Sequence, residues 1–410
     1  MEGGFGQFDA IYNIIIMVVI ITLIGRRTNF PSTIALIFAG LVAASVPTLP
    51  LPELSPEVFL AVLLPPILFN ETLTTDIEGL IDDSDTIMGY AVLGTALMVI
   101  AVGFYAHLIM KLTLVESLLL GIIIAPTDPV AVIATFNRLG VVKRFQLIIA
   151  GESLFNDGLA IVVYSILIMV IEAGTITIGE VAQVTLIKVV GGILLGYAAG
   201  YVIHLIFCWT HDLYAKILLT FILAFGVFRM AEGFHASGVI AVVIAGLILN
   251  YRCKVSGGLN TEEIETIEIM WEFIGFLASS FAFIFIGVNL ETDLLYSFTL
   301  SIFGISLFNV IFRYLMVDFV ANFLENFRSK RIPRNWRIGM TWSGLRGAVS
   351  IVLVLGVSSI DLPNIDLLLA LTYGIVLITN VVQGLSMPWV VKQLNLYSTK
   401  NILKSQTEDE

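Results

Sequence analysis

Stretches without Asp, Glu, Lys or Arg recur along this chain at a length that one environment explains. Runs 28–52, 86–110, 189–211, 233–251, 294–312 and 367–391 are free of those residues, and each can supply the about 20 helical residues that cross a hydrocarbon core. Of 410 residues, 58% are hydrophobic and 13% charged, and the mean hydropathy is +0.97. A water-soluble domain of this size needs far more polar surface. Backbone polar groups inside a bilayer must be satisfied within the protein, and the alternating ten-residue pattern of a barrel is missing. An all-α integral membrane protein follows.

Adding runs interrupted by single ionisable residues predicts thirteen transmembrane helices, near 9–25, 31–46, 56–73, 86–110, 115–137, 146–171, 180–207, 214–232, 235–251, 265–290, 294–324, 338–358 and 367–391. With the N-terminus outside, the internal loops and tail collect sixteen lysines and arginines, among them Arg26, Arg27, Arg328, Lys330, Lys400 and Lys404, whereas the external loops hold only Lys111. That bias predicts a multi-pass protein of the cell membrane with a cytoplasmic C-terminus. The start, Met1-Glu2-Gly3-Gly4, lacks the basic region of a signal peptide, so the first run is expected to stay as a helix. The tail 392–410 is short and polar.

The formal net charge is −11, and part of it falls in the predicted internal loop Glu71 to Glu78 with Asp82, Asp83 and Asp85. Such a loop either concentrates cations or simply adds solubility. No basic stripe or glycine-rich phosphate loop occurs, so neither nucleic acid nor nucleotide is an expected partner. Cys208 and Cys253 make neither a disulfide framework nor a metal site.

Two spans carry signs of interruption. Pro126 and Pro129 in Ala125-Pro126-Thr127-Asp128-Pro129 remove backbone donors, so the fifth span should unwind around Thr127 and Asp128. Gly344 and Gly347, bracketing Arg346, make a break permissible in the twelfth. Irregular backbone at membrane depth marks a binding site. The breaks lie seven spans apart, which suggests inverted six-helix repeats of about 9–171 and 214–391 around a linker helix of about 180–207, the broken helices crossing at mid-membrane.

The sixth span holds Glu152, Ser153, Asn156 and Asp157 in an apolar run. Ionised groups there cost at least a few kcal/mol, so those that persist pair, bind ions or carry protons. Ser153 and Asp157 are four apart on one face. Asp128, Thr127, Ser153 and Asp157 can offer a hard cation such as Na+ oxygen ligands alone, with no soft donor for a transition metal. A proton and a cation competing for Asp157 and Asp128 would give exchange from one site. Asp128 has a second reading as a helix cap, Glu152 and Arg346 read as a supporting ion pair, Arg313 and Lys188 as local or snorkelling charges, and His235 as a helix-end residue.

Pro126-Thr127-Asp128-Pro129, Gly151-Glu152-Ser153-Leu154-Phe155-Asn156-Asp157-Gly158, Gly344-Leu345-Arg346-Gly347-Ala348 and Leu64-Pro65-Pro66-Ile67-Leu68-Phe69-Asn70-Glu71 together resemble sodium/proton antiporters of the NhaP and NHE type. The resemblance covers the whole membrane domain, 1–391. It implies an NhaA-like antiporter fold in a homodimer, a transporter and not an enzyme, with no cofactor and with Na+ or Li+ and H+ as cargo. It also implies that Asp157 is the transported-proton and ion carboxylate, that Asp128, Thr127 and Ser153 complete the ion shell, and that Glu71 approaches from the cytoplasmic side. Asn156 stands where electrogenic relatives carry a second aspartate, so the resemblance implies one-for-one exchange, and Glu152 with Arg346 matches the bridging pair. Two other classes use buried acids. An intramembrane aspartyl protease would need Asp128 and Asp157 as its dyad, but the Gly-x-Gly-Asp setting is missing. A cation channel would line a pore with acids, but tandem filter loops are missing.

Overall fold

The computed structural model describes residues 2–28, 31–46, 49–50, 55–174, 177–326, 331–358, 360 and 362–397. Arg328, Lys330, Lys400 and Lys404 of the charge-bias argument lie outside the described residues, as do the side chains of Arg26 and Arg27 and the tail beyond Tyr397. The principal helices are α1 (Glu2–Thr28), α2 (Ser32–Ala44), α3 (Val58–Thr74), α4 (Ser84–Ile109), α5 (Leu114–Ile124), α6 (Val130–Leu139), α7 (Lys143–Ala173) and α8 (Ile178–Trp209). They continue as α9 (Leu213–Gly233), α10 (Gly238–Ser256), α11 (Thr261–Val288), α12 (Thr299–Glu325), α13 (Arg334–Trp342), α14 (Ala348–Ser358) and α15 (Ile365–Gln393). Among the described residues, 8 helices are long and apolar enough to cross a membrane, and five further apolar helices are shorter. Every predicted span contains one of these helices or a broken pair.

Both interruptions fall where the sequence places them. α5 ends at Ile124 and α6 begins at Val130, while α13 ends at Trp342 and α14 begins at Ala348. Three stretches of wide, π-type turns, Gly89–Gly94 in α4, Ile222–Gly226 in α9 and Thr379–Gly384 in α15, are not foreseen by periodicity. The acidic stretch is not the solvated loop expected from sequence. Glu71 belongs to α3, Ile77–Asp82 is a short helix, and Asp83 is buried and takes Arg144 on both oxygens at 2.8 and 2.9 Å.

Two compact units share the chain, and the boundary between them passes through α7. The first comprises Met1–Leu51, Gly79–Asn156 and Phe283–Glu410. It contains both broken helices and an interior of large apolar side chains such as Phe136, Phe145, Ile351 and Leu371. Arg337, at the start of α13, is held there by Asp318 at 2.7 Å and Glu325 at 2.5 Å.

The second unit comprises Pro52–Glu78 and Asp157–Ala282. Its tightest packing is α8 on α10. A Cβ on Gly192, Gly196 or Gly200, which recur every four residues along α8, would run into the carbonyls of Ser237, Ala241 and Ala245. Small residues at this spacing let two backbones approach, which is how membrane helices gain contact without a hydrophobic driving force. The Asn250 amide of α10 donates to the carbonyls of Thr72 and Leu73 at 2.8 and 2.9 Å, satisfying the otherwise orphaned end of α3. Lys216 and Glu263 pair at 2.8 Å.

Candidate functional site

The site grows from the two helix breaks of the first unit, which touch through their backbones. The Asp128 N–H donates to the Leu345 carbonyl at 2.9 Å. Proline at 126 and 129 leaves α5 ending in free carbonyls and α6 beginning in free N–H groups, the negative and positive ends of two helix dipoles. Each end meets a charge of opposite sign. Arg346 Nη1 donates to the carbonyls of Ala125 and Pro126 at 2.6 and 3.0 Å, and Asp128 Oδ1 accepts from the Val130 N–H at 2.9 Å. Asp128 therefore does cap α6, while its second oxygen lies against Gly347.

The glycines of the second break serve close approach. Neither Gly344 nor Gly347 has a positive φ, so conformational freedom is not what the break demands of them. A Cβ at Gly347 would overlap the Asp128 carboxylate, and one at Gly344 would overlap the Arg313 guanidinium. The break is fastened from α15, whose Thr379 hydroxyl accepts from the Arg346 N–H at 3.2 Å and whose Asn380 amide donates to the Arg346 carbonyl at 2.7 Å.

α7 faces the first break with the residues that sequence spacing selects. The Ser153 hydroxyl donates to the Thr127 carbonyl, and Asn156 Nδ2 donates to Thr127 Oγ1 at 3.1 Å. Thr127, Ser153 and Asn156 are buried. Asp157, 8% exposed, follows Ser153 by one turn of the same helix. Glu71 is half-buried on α3, within the second unit.

One expected pairing is different. Glu152 does not bridge to Arg346; its Oε1 takes Arg313 Nη2 at 3.0 Å, with both side chains 3% exposed. Arg313 also donates Nε to the Met340 carbonyl at 3.3 Å, so it is neither a snorkelling nor a local charge. Arg346 is satisfied by the two carbonyls above and by Asn309 Oδ1 at 3.0 Å. The physical reason is that the end of α5 already offers Arg346 a focused negative potential. Asn309, Arg313, Thr379 and Asn380 are site residues that sequence reasoning missed. Their signal was present: Asn309 and Arg313 stand four apart, on one face of an apolar run.

A half-buried carboxylate, two hydroxyls and a peptide carbonyl gathered at a helix break, with a guanidinium fixing the opposite helix end, form a place for a small hard cation. The family model described as "Sodium/hydrogen exchanger, transmembrane" matches residues 14–393. The chain belongs to that family. Exchangers of this family are secondary transporters and not enzymes, so the buried aspartates are ion-handling groups and not a protease dyad. The Na(+)/H(+) antiporter NhaH of Halobacillus aidingensis is 30% identical, with 97% of this chain and 100% of that protein covered. The Na(+)/H(+) antiporter ApNhaP of Aphanothece halophytica is 33% identical, over 93% of this chain and 73% of its own length. The solved structure of the sodium proton antiporter MjNhaP1 from Methanocaldococcus jannaschii at pH 8 has the same fold, with TM-score 0.78, 19% identity, and 95% and 99% of the two chains covered.

Proposed function

We propose that this exchanger trades one sodium or lithium ion for one proton by alternating access, with cation and proton competing for Asp157 and Asp128, and so serves pH and sodium homeostasis in the cell membrane. The observation that carries the reading is the meeting of the two breaks, which holds Asp128 between the Val130 N–H and Gly347 while Thr127 is gripped by Ser153 and Asn156. On this reading Asp157, Asp128, Thr127 and Ser153 bind the ion, and Glu71 draws cations toward it from the cytoplasm. Asn156 is an amide fastening Thr127, so α7 offers one titratable group at that turn rather than two. This is the basis for electroneutral exchange.

Inverted repeats of about 9–171 and 214–391 and a homodimer complete the proposal. The external N-terminus and cytoplasmic C-terminus gain support from packing: the turn after α6, the start of α13 and the segment after α15 touch one another, so they share one side of the bilayer, as the charge bias requires. Proteoliposomes with a lumenal pH dye, challenged with Na+, Li+ and K+ gradients in turn, test the function. Cation-driven pH change in the direction opposite to the cation gradient is expected. Voltage-following flux without coupled pH change would indicate a channel and overturn the proposal.

A further inference from the structure

Two helices of the first unit end in the same way. α6 closes on Gly140, φ 69°, and the Val141 N–H returns to the Phe136 carbonyl at 3.1 Å. α15 closes on Asn395, φ 49°, and the Leu396 N–H returns to the Val391 carbonyl at 3.2 Å. Both are left-handed caps that fold the following residue back on its own helix. Those residues are buried, Val141 at 3% and Leu396 at 1%.

The reversed ends then join. The Val142 N–H donates to the Leu396 carbonyl at 3.0 Å, and Val141 and Tyr397 form an isolated antiparallel bridge. α13 closes the group, with Asn335 Nδ2 donating to the Leu394 carbonyl at 3.0 Å. Its Gly339 packs so tightly that a Cβ there would stand 2.8 Å from the Phe145 ring and 3.0 Å from Leu396. Phe145 in turn lies between Phe136 of α6 and Trp336 of α13, with centroids 5.5 and 5.3 Å away.

The turn that receives this packing connects the two helices on which the cation site depends. α6 starts at the Asp128 cap, and α7 carries Ser153 and Asp157. We propose that Leu394–Tyr397 is a positioning strap: by pinning the Gly140–Val142 turn against α13, it keeps Thr127 and Asp128 in register with Ser153 and Asn156 while touching no ion itself. The inference rests on the site assigned above. A helix transmits a displacement at one end to the other, and α6 is only 10 residues long. Slack at the turn therefore draws Thr127 away from the Ser153 hydroxyl and the Asn156 amide, and the loss falls on cation affinity.

The test uses the full chain in everted membrane vesicles, reading the apparent sodium KM, the maximal rate and the pH profile, alongside the thermal midpoint of the purified protein. Leu396→Ala and Asn335→Ala should each raise the sodium KM about threefold or more with the maximal rate little changed, because ligand geometry loosens by a fraction of an ångström. They should also shift the pH of half-maximal activity. Leu396→Met, and a chain ending at Tyr397, should match the wild type. A lowered thermal midpoint with unchanged KM and pH profile would mean that the segment only packs, and would overturn the strap. Should Leu396→Ala fail to accumulate, Asn335→Ala decides, since it removes one hydrogen bond at the edge of the group. Asp128→Asn and Asp157→Asn in the same vesicles read the site separately: exchange surviving in them rejects the site, whereas a normal KM in Asn335→Ala rejects the strap alone.

Discussion

At the scale of single residues, charge and its partner decide what each position does. Asp157→Asn keeps the side-chain volume and removes the titratable group, so exchange should disappear from a folded protein; sodium-driven proton movement in this variant would sink the assignment. Asp128→Asn should be nearly as damaging, because the amide still has an oxygen for the Val130 N–H but no charge for a cation. Retained wild-type affinity would leave Asp128 as a cap only. Arg313→Ala strands Glu152 in the interior, a loss of about 3–5 kcal/mol for a broken buried pair, so the thermal midpoint in detergent should fall sharply. A midpoint that stays put would mean that the pair contributes nothing. Thr127, Asp128, Ser153 and Asp157 were legible in the sequence because prolines and helical spacing mark them directly. The partner of Glu152 was not, since Arg313 is 161 positions away and spacing sorts the faces of one helix without saying which helix lies against each face.

Among elements, the broken helices were legible and the wide turns were not. A proline removes a donor wherever it stands, whereas a π-type turn keeps every backbone group bonded and leaves no compositional mark. The wide turn of α15 nevertheless brings Thr379 and Asn380 together onto Arg346. The glycines of α8 are a different device, and they set the distance between α8 and α10. Gly196→Val places branched carbon where the Ala241 carbonyl already stands. The two helices must then separate, and a clear drop in thermal midpoint, or loss of folded protein on size-exclusion chromatography, is expected. Gly233, around which no atom lies within 4 Å of a Cβ, is the control: Gly233→Ala should leave both readouts near the wild type. Equal behaviour of the two variants would show that the stripe is not what joins these helices.

For the whole molecule, one shared site predicts how pH and voltage act. Apparent sodium affinity should weaken about tenfold per pH unit below the effective pKa of the site, a single competing proton being worth about 1.4 kcal/mol per decade. One-for-one exchange moves no net charge, so potentials of either sign imposed with valinomycin and potassium should leave the rate unchanged. A sign-dependent rate would reject electroneutrality, and a pH-independent affinity would reject competition. The arginines that fasten the breaks have a further consequence, for leakage. With all groups ionised, Arg313 and Arg346 contribute two positive charges, and Glu152, Asp128 and Asp157 three negative ones, so the empty carrier holds a single uncompensated negative charge. Either cargo cancels it. Carrying that charge uncancelled through an apolar housing costs at least a few kcal/mol, so the empty form stalls while both loaded forms move. Vesicles given a pH gradient with no alkali cation on either side should therefore hold it as long as protein-free vesicles do, and a faster decay would reveal slippage that this charge balance forbids.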